Sequence, residues 1–244
     1  MNLQCYCFHK SGSLFLQRLF NYIAANNKID FYTSPYACKG NTNKSNELWN
    51  NNLTNCISCP NREPPLNFYE NVKYIIHLRN PLDIMISAYY SFGFTHPVNT
   101  SKMEIARRTI QKQTIDEYCL SQENIDEINN KYTKLLKWIK KYKNNDNVFI
   151  SDYDEMYYNF PKWLTDIFNF MSLKPCTKTL SKFKNEFNNC NNEHVKTNLN
   201  DIKKTKKHHR SGLSKQYLVE LKKETLDLVI SKFSDDIRDI FVFK

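Results

Sequence analysis

Glycine and long apolar runs are scarce in this chain of 244 residues. Average usage would give roughly 17 glycines, but only four are present, so we expect the backbone to need each of them. No run of about 18 apolar residues exists, so the sequence offers no transmembrane helix. The first residues also lack the charged and apolar regions of a signal peptide. We therefore expect a soluble, cytoplasmic protein that does not bind membranes.

Charge and composition limit the possible partners. Hydrophobic residues make up 41% of the chain, which excludes a disordered or collagen-like protein. The 35 basic and 25 acidic residues give a net charge of +10, which suits nucleic acid, phosphorylated ligands or acidic glycans. However, the chain is rich in Asn, Lys and Ile, a bias that an AT-rich genome produces whatever the function. Overall charge is therefore weak evidence, and we do not expect a nucleic-acid partner.

The eight cysteines are expected to be thiols, because nothing indicates a secreted chain. Cys56 and Cys59 form the only CxxC pair, and Cys38 could join them. A tetrahedral zinc site needs four ligands. No second CxxC and no HxxxH pair supplies the others, so we predict no metal.

Apolar spacing predicts strands that alternate with helices. The expected strands are Leu3–Phe8, Val72–Leu78 and Asn147–Ser151. The expected helices are Ser13–Ala25, one that begins with Asn80 as its cap, 125–143, Trp163–Phe170 and Tyr217–Phe233. Asn41–Asn67, which contains three prolines, is interpreted as a loop or a small excursion. This alternation predicts a three-layer α/β domain over residues 1–244, with a mostly parallel central sheet flanked by helices.

The first segment with chemical potential is 8–13, which joins the first strand to the first helix. Its small residues allow backbone N–H groups to face an anion at a helix N-terminus, and Lys10 adds a full positive charge. A Walker A loop has its glycine before the lysine, whereas Lys10 precedes Gly12 here. The order disfavours an ordinary P-loop kinase.

Two further segments carry basic residues and hydroxyl groups. Arg79 ends the second predicted strand, and Ser87 lies two turns into the following helix. A guanidinium together with a hydroxyl suits a phosphate monoester. Residues 209–217, which include Arg210 and Gly212, precede the last predicted helix.

Together these segments resemble the sulfotransferase superfamily, whose members use 3′-phosphoadenosine 5′-phosphosulfate (PAPS). Residues 10–14 are similar to the family's Lys-Ser-Gly-Thr-Thr loop, although Leu14 replaces a hydroxyl residue. Residues 79–87 match the pattern R-[ND]-P-x-D-x-x-x-S in full, and residues 148–156 resemble the family's strand ending in Tyr-Glu-Asp-Met. Arg210, Gly212 and Tyr217 have the offsets of R-K-G-x-x-G-D-W. The resemblance implies a P-loop-NTPase-like sulfotransferase fold and these PAPS-binding residues: Lys10, Ser11, Gly12, Ser13, Arg79, Ser87, Tyr153, Arg210, Ser211 and Gly212.

The catalytic base is the least defined part of the resemblance. Cytosolic members have a catalytic His between the first two segments, but no His lies between His9 and His77 here. Other members use a Glu shortly after the first helix, and Asp30 is the nearest carboxylate by position. His96, which follows the second phosphate segment, is the favoured candidate, and His77 comes third. Lys10 is the expected catalytic cation, which would neutralise charge on the leaving 5′-phosphate.

The predicted activity is transfer of a sulfuryl group from PAPS to a hydroxyl or amine, with adenosine 3′,5′-bisphosphate as the product and no metal. The resemblance implies a carbohydrate, a lipid or a small alcohol as acceptor. Two alternatives stay open. One is a non-catalytic basic protein that binds a nucleotide or a glycan on the same fold. The other, less favoured, is a small-molecule kinase.

Overall fold

The computed structural model describes residues 1–33, 54–65, 67–175, 177–192 and 212–243. Within them, five strands form one sheet in the order β2-β3-β1-β4-β5, and every neighbouring pair is parallel. The strands are β1 Asn2–Cys7, β2 Asp30–Tyr32, β3 Cys56–Asn61, β4 Lys73–Leu78 and β5 Val148–Asp152. The prediction of a parallel sheet flanked by helices is confirmed.

The helices of the described residues alternate with these strands or follow them. They are α1 Ser13–Asn26, α2 Pro81–Tyr90, α3 Ser101–Gln111, α4 Ile115–Leu120, α5 Gln122–Tyr142, α6 Tyr153–Tyr158, α7 Phe160–Phe170, α8 Thr177–Asn192, α9 Tyr217–Glu220, α10 Lys223–Lys232 and α11 Asp235–Ile240. A π-helical turn, Ser91–Thr95, follows α2 directly. In the described part of the chain, no helix is both long and apolar enough to cross a membrane.

The chain forms two compact units. The first contains Met1–Arg79 and Lys137–Glu186, and therefore the whole sheet. The second contains Asn80–Leu136 and Phe187–Lys244. The assignment of residues 1–244 to a single domain stays a prediction.

Burial explains why β1 and β4 were recognisable in the sequence. Both strands lie inside the sheet, and all of their residues are buried except Lys73, which is half-buried. A parallel strand covered on both faces needs an almost continuous apolar run, and such runs are easy to see.

Strand β3 overturns the interpretation of Asn41–Asn67 as a loop, although part of that range lies outside the described residues. β3 is entirely buried between β2 and β1 despite Pro60 and the polar residues Ser58 and Asn61. Proline has no N–H for the sheet ladder. Here Asn61 compensates, because its side-chain amide donates to Cys5 O at 3.0 Å, where the register between β1 and β3 shifts. A side chain thus replaces a backbone donor, which strand propensity does not reveal.

The CxxC pair lies on β3, and this placement separates its two thiols. Residues three apart on a strand point to opposite faces of the sheet. Cys56 accordingly contacts Asn2 Oδ1 at 3.9 Å, whereas Cys59 hydrogen-bonds with Cys5. The described residues contain no group of three or more potential metal ligands. Cys38 lies outside them.

The start of α2 confirms the prediction made from Asn80 and Pro81. The Asn80 side chain accepts from Leu82 N at 3.0 Å, and Pro81 occupies the first turn. Asp83, also in the first turn, is completely buried. Its carboxylate accepts from the backbone N–H groups of Lys215, at 2.8 Å, and Tyr217, at 3.3 Å. Asp83 therefore ties the C-terminal segment to α2 within the second unit.

The prediction of one continuous helix over Tyr217–Phe233 is wrong. The structure has α9 and α10 instead, with Leu221 and Lys222 extended between them. The backbone N–H of Lys222 donates to Asp116 Oδ1 at 3.1 Å rather than to a helix carbonyl. A contact with a distant residue interrupts what the local pattern presents as one helix.

We expect Asp83→Ala to lower the free energy of unfolding by about 2–4 kcal/mol, because two buried N–H groups lose a charged acceptor. Asp83→Asn, which keeps one acceptor oxygen, should cost about half as much. Urea titrations measure both losses. Asp116→Ala is the matched control, because it also removes a carboxylate from a backbone N–H, and it should cost under about 1 kcal/mol at a more exposed position. Equal losses for Asp83→Ala and Asp116→Ala would contradict this role.

Candidate functional site

The loop between β1 and α1 has a backbone shape suited to binding an anion. Lys10 and Gly12 have positive φ angles of 69° and 77°, and Ser11 between them does not. Residues of alternating hand turn successive N–H groups toward one side, which forms a concave anion site. Ser11 is completely buried, and its hydroxyl donates to Phe8 O at 2.7 Å. The hydroxyl of Ser11 therefore stabilises the loop from inside.

The N-terminus of α1 continues this site. Gly12 is the N-cap residue, and no described side chain caps the helix. The first turn also contains no acidic residue. A 14-residue helix carries a partial positive charge at this end, where its first N–H groups have no intrahelical acceptor. These groups can therefore serve an anionic ligand.

Arg79 and Tyr153 lie against the same loop. Arg79 is 3% exposed, and its Nη1 donates to Lys10 O. Its guanidinium lies 4.1 Å from the centre of the Tyr153 ring. A Cβ on Gly12 would be 3.4 Å from that ring, so the ring also covers the glycine. The first unit thus brings together the residues that the resemblance assigned to it: Lys10, Ser11, Gly12, Ser13, Arg79 and Tyr153.

Arg62 contacts this loop, although no motif in the sequence indicated it. Its guanidinium donates to Phe8 O at 2.9 Å, to Cys7 O at 3.2 Å and to Ser13 Oγ at 2.9 Å. Arg62 directly follows β3, which neighbours β1 in the sheet. Only recognition of β3 as a strand could have brought Arg62 to the loop, and its proline and polar residues concealed it.

Positive charge is concentrated around this loop. Burial, and after it the charge of Arg62, lower the pKa of Lys10 to about 8. The ammonium group is thus held where water solvates it poorly, beside another cation. An anionic ligand would offset this poor solvation and the repulsion between the two cations, because it stabilises the charged form of Lys10.

The remaining predicted binding residues belong to the second unit or lie outside the described residues. Ser87 is half-buried on α2, and Gly212 begins the described C-terminal segment. Arg210 and Ser211 lie outside the described residues. The roles of these four residues stay predictions.

His96 follows the π-helical turn in the second unit. Its Nδ1 lies 2.8 Å from Pro97 O, which can only accept, so Nδ1 carries the proton in the neutral ring. The lone pair is then on Nε2. This tautomer is suitable for a general base that acts through Nε2.

Asp30 is removed as a candidate base by its position. It is the first residue of β2 and pairs in register with Cys56, which pairs in turn with Asn2 at the start of β1. Lys10 follows the other end of β1. Six residues of strand span roughly 20 Å, so Asp30 lies at the opposite edge of the sheet from the anion loop.

His77 is a buried structural residue. Its side chain is completely buried, and Nδ1 lies 2.8 Å from Ser151 Oγ, which also accepts from Trp163 Nε1 at 2.8 Å. Burial, and then the charge of Arg79, lower the pKa of His77 to about 3. A ring this buried does not reach an acceptor in solvent, so we set His77 aside as a base.

Comparison with known proteins identifies the family. The family model named "Sulfotransferase domain" matches residues 6–239, which is nearly the whole chain. This chain belongs to the sulfotransferase family. The resemblance seen in the sequence is therefore confirmed. No curated protein matches the chain by sequence.

Solved structures share this fold at low sequence identity. Mouse sulfotransferase SULT7A1, complexed with PAP, is 17% identical with a TM-score of 0.63, over 98% of this chain and 84% of that chain. Retinol dehydratase in complex with androsterone and the inactive cofactor PAP is 15% identical with a TM-score of 0.57. That match covers 99% of this chain and 82% of the other. At these identities the likeness shows the fold alone.

We expect Lys10→Met to stabilise the ligand-free protein while it weakens anion binding. A lysine whose pKa is lowered on folding costs stability while protonated, and that cost disappears as the pH rises from about 8 to about 10.5. At pH 7 the gain should be on the order of 1–3 kcal/mol. Urea titrations at pH 7 and pH 10 measure it, with Lys178→Met at an exposed position of α8 as the control. A gain that is equal at both pH values would contradict this account.

The pKa of His77 leads to a second pH prediction. The pKa of His77 in the folded protein, about 3, lies below its ordinary value of 6.5. The contribution of neutral His77 to the free energy of unfolding is therefore fully present above pH 6.5 and is lost as the pH falls toward 3. His77→Asn keeps an acceptor near the Nδ1 position and cannot titrate. The variant should be less stable at pH 7. As the pH falls below 6.5, its free energy of unfolding should decrease less steeply than that of wild type, and the two slopes should differ by up to about 1.4 kcal/mol per pH unit. Parallel pH profiles for the two proteins would show that His77 does not carry the acid sensitivity.

Proposed function

We propose that this protein transfers a sulfuryl group from PAPS to a hydroxyl or amine of an acceptor. The observation that carries the proposal is the loop of Lys10–Ser13, with backbone N–H groups at an uncapped helix N-terminus and a partly buried lysine beside them. Membership of the sulfotransferase family supports it, and so do related folds solved with PAP bound.

The loop residues suit the 5′ end of the nucleotide. The N–H groups of the loop and of the first turn of α1 would bind the 5′-phosphate, and the Ser13 hydroxyl lies at the start of that turn. PAPS supplies a sulfuryl group attached to a phosphate that leaves. Lys10 would neutralise charge as it develops on the leaving phosphate, and preorganised charge of this kind contributes about 10²–10³ in rate.

The 3′-phosphate distinguishes PAPS from ordinary nucleotides, and its proposed binding residues come from the family pattern. They are Arg79, Ser87, Arg210, Ser211 and Gly212. Arg79 has a rigid guanidinium, held by Lys10 O and by the Tyr153 ring. A fixed guanidinium is suitable for a phosphate monoester, because little side-chain entropy is lost on binding.

His96 is the proposed general base. Nε2 would take the proton from the acceptor hydroxyl or amine, while Nδ1–H stays with Pro97 O and fixes the ring orientation. Base catalysis of this kind contributes roughly 10²–10⁴ in rate. The acceptor is proposed only as a class: a carbohydrate, a lipid or a small alcohol.

Ligand stabilisation tests the nucleotide preference. We expect adenosine 3′,5′-bisphosphate to raise the melting temperature more than equal concentrations of 5′-AMP, because only the bisphosphate engages the residues assigned to the 3′-phosphate. ATP with magnesium tests the kinase alternative. Equal shifts for the bisphosphate and 5′-AMP would contradict PAPS specificity, and the largest shift with magnesium-ATP would favour a kinase.

Turnover distinguishes an enzyme from a protein that only binds the nucleotide. Release of adenosine 3′,5′-bisphosphate from PAPS is measured with panels of sugars, lipids and small alcohols. Wild type should exceed Lys10→Met by about 10²–10³-fold with an accepted substrate. Binding of the bisphosphate without release from any panel would favour the non-catalytic alternative.

A further inference from the structure

Arg62 contacts both ends of the anion loop and lies outside every motif that indicated the function. Through Nη1 it binds the carbonyl oxygens of Cys7 and Phe8, where the chain leaves β1. Through Nη2 it binds the hydroxyl of Ser13, the first residue of α1. One guanidinium group therefore joins the start of the loop to its end.

The partners of Arg62 explain why this contact matters for an anion. A loop binds an anion only if its N–H groups face the ligand and its carbonyl oxygens point elsewhere, because those oxygens would repel the ligand. Arg62 and Arg79 together hold the carbonyl oxygens of Cys7, Phe8 and Lys10. These two cations therefore add to the hydrogen bonds that Ser11 makes to Phe8 O in fixing the orientation of the loop.

Arginine fits this position better than lysine does. The planar guanidinium has five N–H donors in a fixed fork, so it can bind a carbonyl pair and a hydroxyl at once. Lysine has one nitrogen on a flexible chain. The charge of Arg62 also acts on Lys10, since it is one of the two causes that lower the pKa of Lys10.

We propose that Arg62 is a positioning residue for the 5′-phosphosulfate. Arg62 holds the loop in its anion-binding conformation, and its charge acts on Lys10 within that loop. This inference rests on the proposed function. Arg62 acts on the loop and on Lys10, and Arg79 holds the loop at Lys10 O.

The test measures binding of three nucleotides by isothermal titration calorimetry: adenosine 3′,5′-bisphosphate, 5′-AMP and 3′-AMP. Arg62→Gln should weaken binding of the first two by about 10–100-fold, since hydrogen bonds from a charged group are lost. Binding of 3′-AMP should change by less than about twofold, because that nucleotide has no 5′-phosphate for the loop. Arg18→Gln is the matched control: it removes the same charge at an exposed position of α1 and should bind all three like wild type.

The pH dependence of binding distinguishes the effect of the Arg62 charge from the effect of its guanidinium hydrogen bonds. Above pH 8 the phosphate of 5′-AMP is fully ionised, so a loss of affinity there reports Lys10. Wild-type affinity should fall as the pH rises above about 8, where free Lys10 is neutral. In Arg62→Gln this fall should begin at higher pH, because the neighbouring cation is gone. In Arg62→Lys the charge remains, so affinity should drop while the fall begins near the wild-type pH.

Three outcomes would overturn the inference. The first is wild-type affinity for 5′-AMP in Arg62→Gln. The second is an equal loss for 5′-AMP and 3′-AMP, which would indicate general damage to the fold. The third is weaker binding with no movement of the pH profile, which would indicate a structural contact alone. If wild type binds none of the three nucleotides, the proposed function is wrong and the inference falls with it.

Discussion

The carbonyl oxygens of the loop between β1 and α1 are held by guanidinium groups, and the site depends on this attraction. Arg62 binds the oxygens of Cys7 and Phe8, and Arg79 binds that of Lys10. Within the loop, Ser11 N–H donates to Phe8 O at 3.4 Å. The groups that suit an anion are therefore chiefly the first N–H groups of α1, whose N-terminus no described side chain caps.

This arrangement places cations close together and buries them from water, which is unfavourable in the ligand-free protein. Lys10 is partly buried beside Arg62, and its pKa falls to about 8 as a result. Arg79 is almost completely buried against the Tyr153 ring. Sites prepared for an anion keep such unfavourable electrostatics in the free state, because the ligand later relieves them. The proposed nucleotide, with phosphate groups at both ends, would be a ligand of that kind.

In the second unit, a buried negative charge binds backbone N–H groups, as the guanidinium groups of the first unit bind carbonyl oxygens. The buried carboxylate of Asp83 accepts from the backbone N–H groups of Lys215 and Tyr217. This contact organises the chain immediately after residues 209–212, which the family pattern assigns to the 3′-phosphate. The Asp of the pattern R-[ND]-P-x-D thus has a structural role here, since both of its carboxylate oxygens accept from backbone N–H groups.

Local rules determined what the sequence alone could determine. The anion loop, the capped start of α2 and strands β1, β4 and β5 follow from short patterns whose physical causes lie within a few residues. Strand β3, the loop contacts of Arg62, the far position of Asp30 and the burial of His77 were decided by the tertiary structure. Each depends on which strands pair and in what register, and pairing joins residues that are dozens of positions apart. No local pattern carries that information.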